Sequence, residues 1–195
     1  MIYYLGGYFL INTWASQRTD AYHLSLKADE MIPFVPVFIL GYMMIFLILA
    51  LTYLLVDELT YWKKIMRAFF FCVTLHFVIF AVFPVEYHLR TQADPQKGWL
   101  HFLVDFYYFV DLPFNNFPSL HVSNAFLCAF LMHRYRHFYA WIFYPMAILV
   151  AASVLLIKQH FIADVATGVL VAWILARPSR LRQSSPSRTI SEKLF

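Results

Sequence analysis

The sequence predicts an all-α, polytopic membrane protein: a bundle of six transmembrane helices with an interfacial segment between the third and the fourth. Three observations carry this. Hydrophobic residues make up 62% of the 195 positions, aromatic residues 20% and charged residues only 13%, whereas an ordinary soluble domain carries roughly 25% charge. The apolar residues gather into six runs separated by polar connectors or proline, and a hydrocarbon core about 30 Å thick asks for about 20 residues per helix. The cysteines Cys72 and Cys128 both lie inside apolar runs without CxxC spacing, which suggests packing residues and neither a disulfide framework nor a zinc site. Little length is left for a separate soluble domain, so residues 1–176 read as one transmembrane domain.

In order, residues 2–16 form an apolar segment without the basic n-region and small-residue cleavage site of a secretory signal, and they read as a retained first helix. It is the weakest span, because it falls below the usual crossing length. Residues 21–32 are a polar loop. Pro33 and Pro36 open a second run to Val56; proline is tolerated in a first turn, where its missing N–H has no helical partner. Asp57 to Arg67 is a charged connector. A third span, 68–83, is stopped by Pro84, and the longest non-spanning stretch follows, from Val85 to Pro118. Within it, residues 99–111 mix aromatic rings with Asp105 and Asp111, a composition suited to headgroup depth. The remaining spans are 119–132, 138–157 and 161–176. Residues 177–195, rich in Ser, Arg and Pro without apolar period, read as a disordered basic tail.

If all six spans cross, the connectors divide the fifteen basic residues ten to five. The ten include Lys63, Lys64, Arg67, Arg134, Arg136 and the tail; the five are Arg18, Lys27, Arg90, Lys97 and Lys158. The positive-inside bias assigns the ten to the cytoplasm, with both termini, and leaves the other face outside or periplasmic. Arg90, Ser119 with His121, and Lys158 to Asp164 all fall on that outer face.

These clusters can do phosphate chemistry. His160 and Asp164 stand i, i+4, one turn apart on a helix face. A carboxylate there holds one imidazole nitrogen and frees the other as nucleophile or base. Plain helix-surface pairing is the competing reading of an isolated HxxxD, but ionisable groups at a membrane helix end are functional candidates by default. Pro118 and Ser119 read as a helix start, with Ser119 as N-cap and the first-turn amides open to phosphate oxygens. Arg90 offers a planar fork and Lys158 a point charge, though either alone reads equally as a snorkelling cation. Among the other histidines, His76 is mid-span and expected to be bonded inside the bundle. His88, near Arg90, is a candidate to support it, and Asn116 is a candidate for shaping the headgroup site beside its simpler role in a turn.

Pro118-Ser119-Leu120-His121, followed by His160-x-x-x-Asp164 and preceded by Arg90, resembles the three-part signature of the type 2 phosphatidic acid phosphatase superfamily, six-helix membrane enzymes that work through a phosphohistidine without metal. The resemblance runs from about Pro33 to Gly168. It implies His160 as nucleophile, Asp164 as its orienting partner, His121 as the acid that protonates the leaving alkoxide, and Arg90, Ser119 and Lys158 as phosphate ligands, with no cofactor. The chain departs from the usual pattern at Phe83, where the first motif has Lys, at Thr91, at Leu120, where Gly is common, and at Ser153-Val154, where Ser-Arg is usual; Lys158 stands as the substitute cation. With Asn116 preceding the second motif and Ile32-Pro33-Phe34-Val35-Pro36 upstream, these departures are most similar to the inositol phosphorylceramide synthase-like branch.

The resemblance thus implies a lipid phosphatase acting at the external face. Alternatives are a phosphotransferase that passes the phospho-headgroup to a lipid or polyol hydroxyl, and a non-catalytic lipid-binding or transport protein. A metal held by His121, His160 and Asp164 is a poorer reading, since only one carboxylate joins the two histidines. The expected partners are a lipid phosphate or phospholipid and the bilayer, and not nucleic acid.

Overall fold

The structure, a computed structural model, describes residues 2–91 and 93–177. Among the described residues eight α-helices follow one another: α1 (Ile2–Ala15), α2 (Lys27–Met31), α3 (Ile39–Leu54), α4 (Leu59–Val82), α5 (Trp99–Val110), α6 (Leu120–Tyr135), α7 (Ala140–Leu156) and α8 (Ile162–Ala176). Short 3-10 turns lead into α3, α5 and α7, and no strand occurs among the described residues. The tail expected to be disordered lies outside the described residues beyond Arg177.

The all-helical expectation holds, but six full spans are not shown. Among the described residues three helical stretches are long and apolar enough to cross a membrane: Pro36–Leu54, Leu59–Val82 and His137–Leu156. Helices α1, α6 and α8 have 14, 16 and 15 residues, so each rises only about 21–24 Å, less than a hydrocarbon core of about 30 Å. Two connectors also differ from expectation. Helix α4 starts at Leu59, so Lys63, Lys64 and Arg67 ride on its first turns rather than in a loop. No Gly or Pro interrupts residues 59–67, and Ile65 there is buried. The polar loop 21–32 contains α2, whose Asp29 is buried.

Helix α6 is the axis of the bundle. It packs against α3, α4, α7 and α8, and ten of its sixteen residues are buried, which is why its sequence is apolar or small on nearly every side. Its Ser123 is bonded to the neighbouring helices. Ser123 Oγ donates to the Gly168 carbonyl of α8 at 3.0 Å and lies 2.9 Å from His76 Nε2 of α4, while His76 Nδ1 donates to the Cys72 carbonyl at 2.7 Å. His76 is therefore bonded inside the bundle, as its mid-span position predicts. Cys72 and Cys128 are free and buried.

At one end of the bundle three loops are stitched together by backbone bonds. Tyr22 N–H donates to Pro84 O, Glu86 N–H to Tyr22 O and Tyr87 N–H to Pro113 O, each at 2.9 Å. Helix α1, which lies along α4, joins them: Tyr8 Oη and Asn12 Nδ2 donate to Asp111 Oδ1 at 2.7 and 3.1 Å. The N-termini of α6 and α8 meet beneath this cover, and Gly168 sets how closely. A Cβ at Gly168 would lie 2.9 Å from the Ser119 carbonyl oxygen.

Gly168→Val is expected to push α8 off α6 and to cost about 1–3 kcal/mol through overpacking, read as a lower melting temperature in detergent. Gly6→Ala, where nothing lies within 4 Å of the added carbon, is the control and leaves the melting temperature unchanged or higher.

Candidate active site

The site is built at the first turn of α8. Phe161 is the N-cap, and its N–H donates to Asp164 Oδ2 at 2.8 Å. The same oxygen lies 3.3 Å from His160 Nδ1. A buried carboxylate accepts, so the imidazole proton belongs on Nδ1 and the lone pair of Nε2 is left free. Asp164 is fully buried and His160 is 5% exposed, so the pair is kept from competing water, where such bonds count for more.

The start of α6 is fixed against this turn. Ser119 N–H donates to the Asp164 carbonyl at 3.1 Å, and Ser119 Oγ caps the helix by accepting from Val122 N–H at 3.4 Å. The bond across to Asp164 carries His121 into place. Its ring centroid lies 6.3 Å from that of His160, and its other side is covered by Tyr42 of α3, whose ring centroid is 4.6 Å away.

Arg90 reaches the site from the loop after α4. Nη2 donates to Gln159 Oε1 at 2.5 Å and to the Asp111 carbonyl at 2.6 Å, and Nη1 donates to the Tyr108 carbonyl at 3.1 Å. The guanidinium also rests over the Tyr108 ring, 4.6 Å from its centroid. Nε is buried without a partner, as is Gln159 Nε2. Two donors beside the histidines are thus unmet by protein, a costly state unless an acceptor enters. Burial lowers the pKa of Arg90 from the ordinary arginine value, and the nearby Asp111 carboxylate opposes this.

The other residues expected at the site have structural partners. Lys158, in the left-handed region with φ 52°, is buried, and Nζ donates to the Asp29 carbonyl at 2.9 Å, which leaves two of its protons. Asn116 Nδ2 donates to the Pro113 and Val85 carbonyls at 2.6 and 3.3 Å and braces the loop before α6. His88 is exposed; its ring lies 5.7 Å from that of Phe161 and 5.0 Å from that of His23. The structure therefore brings His160, Asp164, Ser119, His121 and Arg90 together, with Lys158 engaged on the neighbouring loop and His88 at the rim.

Asp29 escaped the sequence reading. Its Oδ1 accepts from Ile162 N–H and its Oδ2 from Leu26 N–H, both at 2.7 Å. It thereby caps α8 from a loop more than a hundred residues earlier. Gln159, which carries Arg90, and Tyr42, which covers His121, were also not given roles. Among the described residues no group of three or more His, Cys, Asp or Glu is placed to hold a metal ion.

The family model described as PAP2 superfamily matches residues 83–184, a stretch that contains Arg90, Ser119, His121, Lys158, His160 and Asp164. That family points to phosphatase- or phosphotransferase-type activity. Uncharacterized protein MJ0662 of Methanocaldococcus jannaschii is 35% identical over 82 residues, which are 41% of this chain and 34% of that protein. The chain thus spans about a third of the length of this curated relative. No solved structure matches the chain.

Asp29→Ala removes the acceptor of the Ile162 and Leu26 amides, and the loss of charge-assisted bonds is expected to cost about 1.5–3 kcal/mol. Thermal unfolding in detergent reads it, and Asp29→Asn, which keeps an acceptor, is expected to restore part of the difference.

Proposed function

The chain belongs to the PAP2 superfamily, and on that footing we propose that it is an integral membrane lipid phosphatase working through a phosphohistidine without a metal. The observation that carries this reading is the oriented pair: His160 Nδ1 on Asp164 Oδ2 at 3.3 Å, with the His121 ring 6.3 Å away. His160 Nε2 attacks phosphorus, and the bond from phosphorus to the lipid oxygen breaks as His121 gives that oxygen a proton. Water then attacks the phosphohistidine, His121 takes the water's proton, and inorganic phosphate leaves. Arg90, the first-turn amides of α6 around Ser119, and Lys158 after a shift off Asp29 stabilise the charge on the transferring group. Asp164 keeps the imidazole in the reactive tautomer and stabilises the cation that forms on it. The lipid substrate is supported by the apolar helices around the site, which would present the reacting group at one end of a bilayer-embedded bundle.

A second reading is favoured by Leu120, which stands where Gly is common, and by the preceding Asn116: these are similar to the synthase-like branch, in which a lipid or polyol hydroxyl replaces water. We place the site on the external face, since the ten-to-five division of basic residues puts Arg90 and Lys158 opposite the richer side. Residues 1–176 are then a single catalytic transmembrane domain with both termini in the cytoplasm.

Purified protein given phosphatidic acid, with and without myo-inositol or diacylglycerol, is expected to release inorganic phosphate. His160→Ala is expected to lower that release roughly 10³-fold or more. A new phosphodiester in place of free phosphate selects the transferase, and lipid binding without turnover in the unaltered protein selects a non-catalytic role. For sidedness, a cysteine placed at Lys97 is expected to react with an impermeant thiol reagent added outside intact cells, and one at Arg134 is not; the reverse pattern overturns the orientation.

A further inference from the structure

Away from the histidines, α1, α3, α4 and α6 leave a cavity of about 620 Å³ between them. Tyr4, Leu49, Tyr53, Phe70 and Val73 give it apolar and aromatic walls, and Asn124 enters it from α6. Asn124 is 2% exposed and its Oδ1 has no hydrogen-bond partner. A buried amide oxygen in this state costs about 1–3 kcal/mol until a donor reaches it. The cavity therefore suits a long, apolar ligand that carries a donor for Asn124. Its size falls in the range of small-molecule sites, about 300–1,000 Å³.

Its position relates it to the reaction. Asn124 follows His121 by three residues, about 4.5 Å along the helix axis. Leu49 and Tyr53 follow Tyr42, the residue covering His121, by two to three turns of α3. The cavity thus begins one turn beneath the acid and runs away from the phosphate-binding end. A lipid phosphate does not suit it, because no cation lines it. The alcohol left when that phosphate is removed does, since it keeps the chains and gains one hydroxyl donor.

We propose that this cavity is a binding site for the lipid alcohol, with the hydroxyl donating to Asn124 Oδ1 and one hydrocarbon chain lying along α3 and α4. The assignment deepens the lipid reading above and rests on it. In the hydrolytic reaction the site holds the product after the ester bond has broken; in a transfer reaction it holds a hydroxyl-bearing lipid one turn from His121.

The test uses photo-crosslinking of the full chain in detergent with a monoacylglycerol carrying a diazirine on its acyl chain, in the unaltered protein and in Asn124→Leu. The label is expected on peptides containing Tyr53 or Phe70, and roughly tenfold more probe is expected to be needed for Asn124→Leu, the equivalent of one lost hydrogen bond to a buried group. Val73→Phe fills the cavity without touching Asn124 and is expected to reduce the same label. The matching fatty acid methyl ester, which has no donor, competes weakly and free monoacylglycerol competes well. Equal competition by the two, or labelling spread evenly over the outer helix faces, overturns the site and identifies ordinary bilayer contact. Crosslinking needs no turnover, so a protein that labels as expected yet releases no phosphate contradicts the hydrolytic reading and leaves this site standing.

Discussion

A fully buried carboxylate at the start of α8 is the constraint on which the rest of this structure depends. An isolated charge in that position is costly, and Asp164 offsets part of the cost with donors from its own turn: the Phe161 amide and the His160 imidazole share Oδ2, while Oδ1 has no partner. The bond on Oδ2 also orients the histidine. The backbone of the same residue accepts from Ser119, so the start of α6, and with it His121, is positioned from the same place. Gly168, one turn further along α8, is bare because the Ser119 carbonyl comes so close.

The second organising demand is at Arg90. Its guanidinium is held by two backbone carbonyls, a side-chain amide and an aromatic face, none of which neutralises it fully. The carbonyls belong to Tyr108 and Asp111 at the end of α5, and Asp111 is in turn gripped by Tyr8 and Asn12 of α1. Burial raises the pKa of the Asp111 carboxyl, against the bond from Tyr8 and the field of Arg90. The first helix and the aromatic segment therefore serve the candidate site indirectly, by fixing a buried cation whose Nε has no partner.

Local spacing made the centre of the site legible. His160 and Asp164 are one helical turn apart, Ser119 opens a helix after a proline, and Arg90 stands just past the end of a span; each pattern has a meaning that needs no tertiary contact. Asp29 had none. Its partners, Lys158 and Ile162, are 129 and 133 residues away, and in sequence it is one acid in a polar loop. Tyr42 is similarly hidden, as one ring in a long apolar helix. The span boundaries differ for another reason: charge marked Asp57 to Arg67 as a connector, but with no breaker after Glu58 the helix begins inside it, at Leu59. The apolar runs of α1, α6 and α8 mark helices shorter than a full crossing, and of the three only α6 is mostly buried.

In the proposed reaction His160 is the group that takes the phosphoryl. The most direct measurement is to quench the protein during turnover of a lipid phosphate labelled on phosphorus and to map the label by peptide. The prediction is an acid-labile, alkali-stable phosphoryl on the peptide containing His160, absent from His160→Ala and still formed, more slowly, in His121→Ala. Label on another residue, or undiminished phosphate release from His160→Ala, contradicts the account.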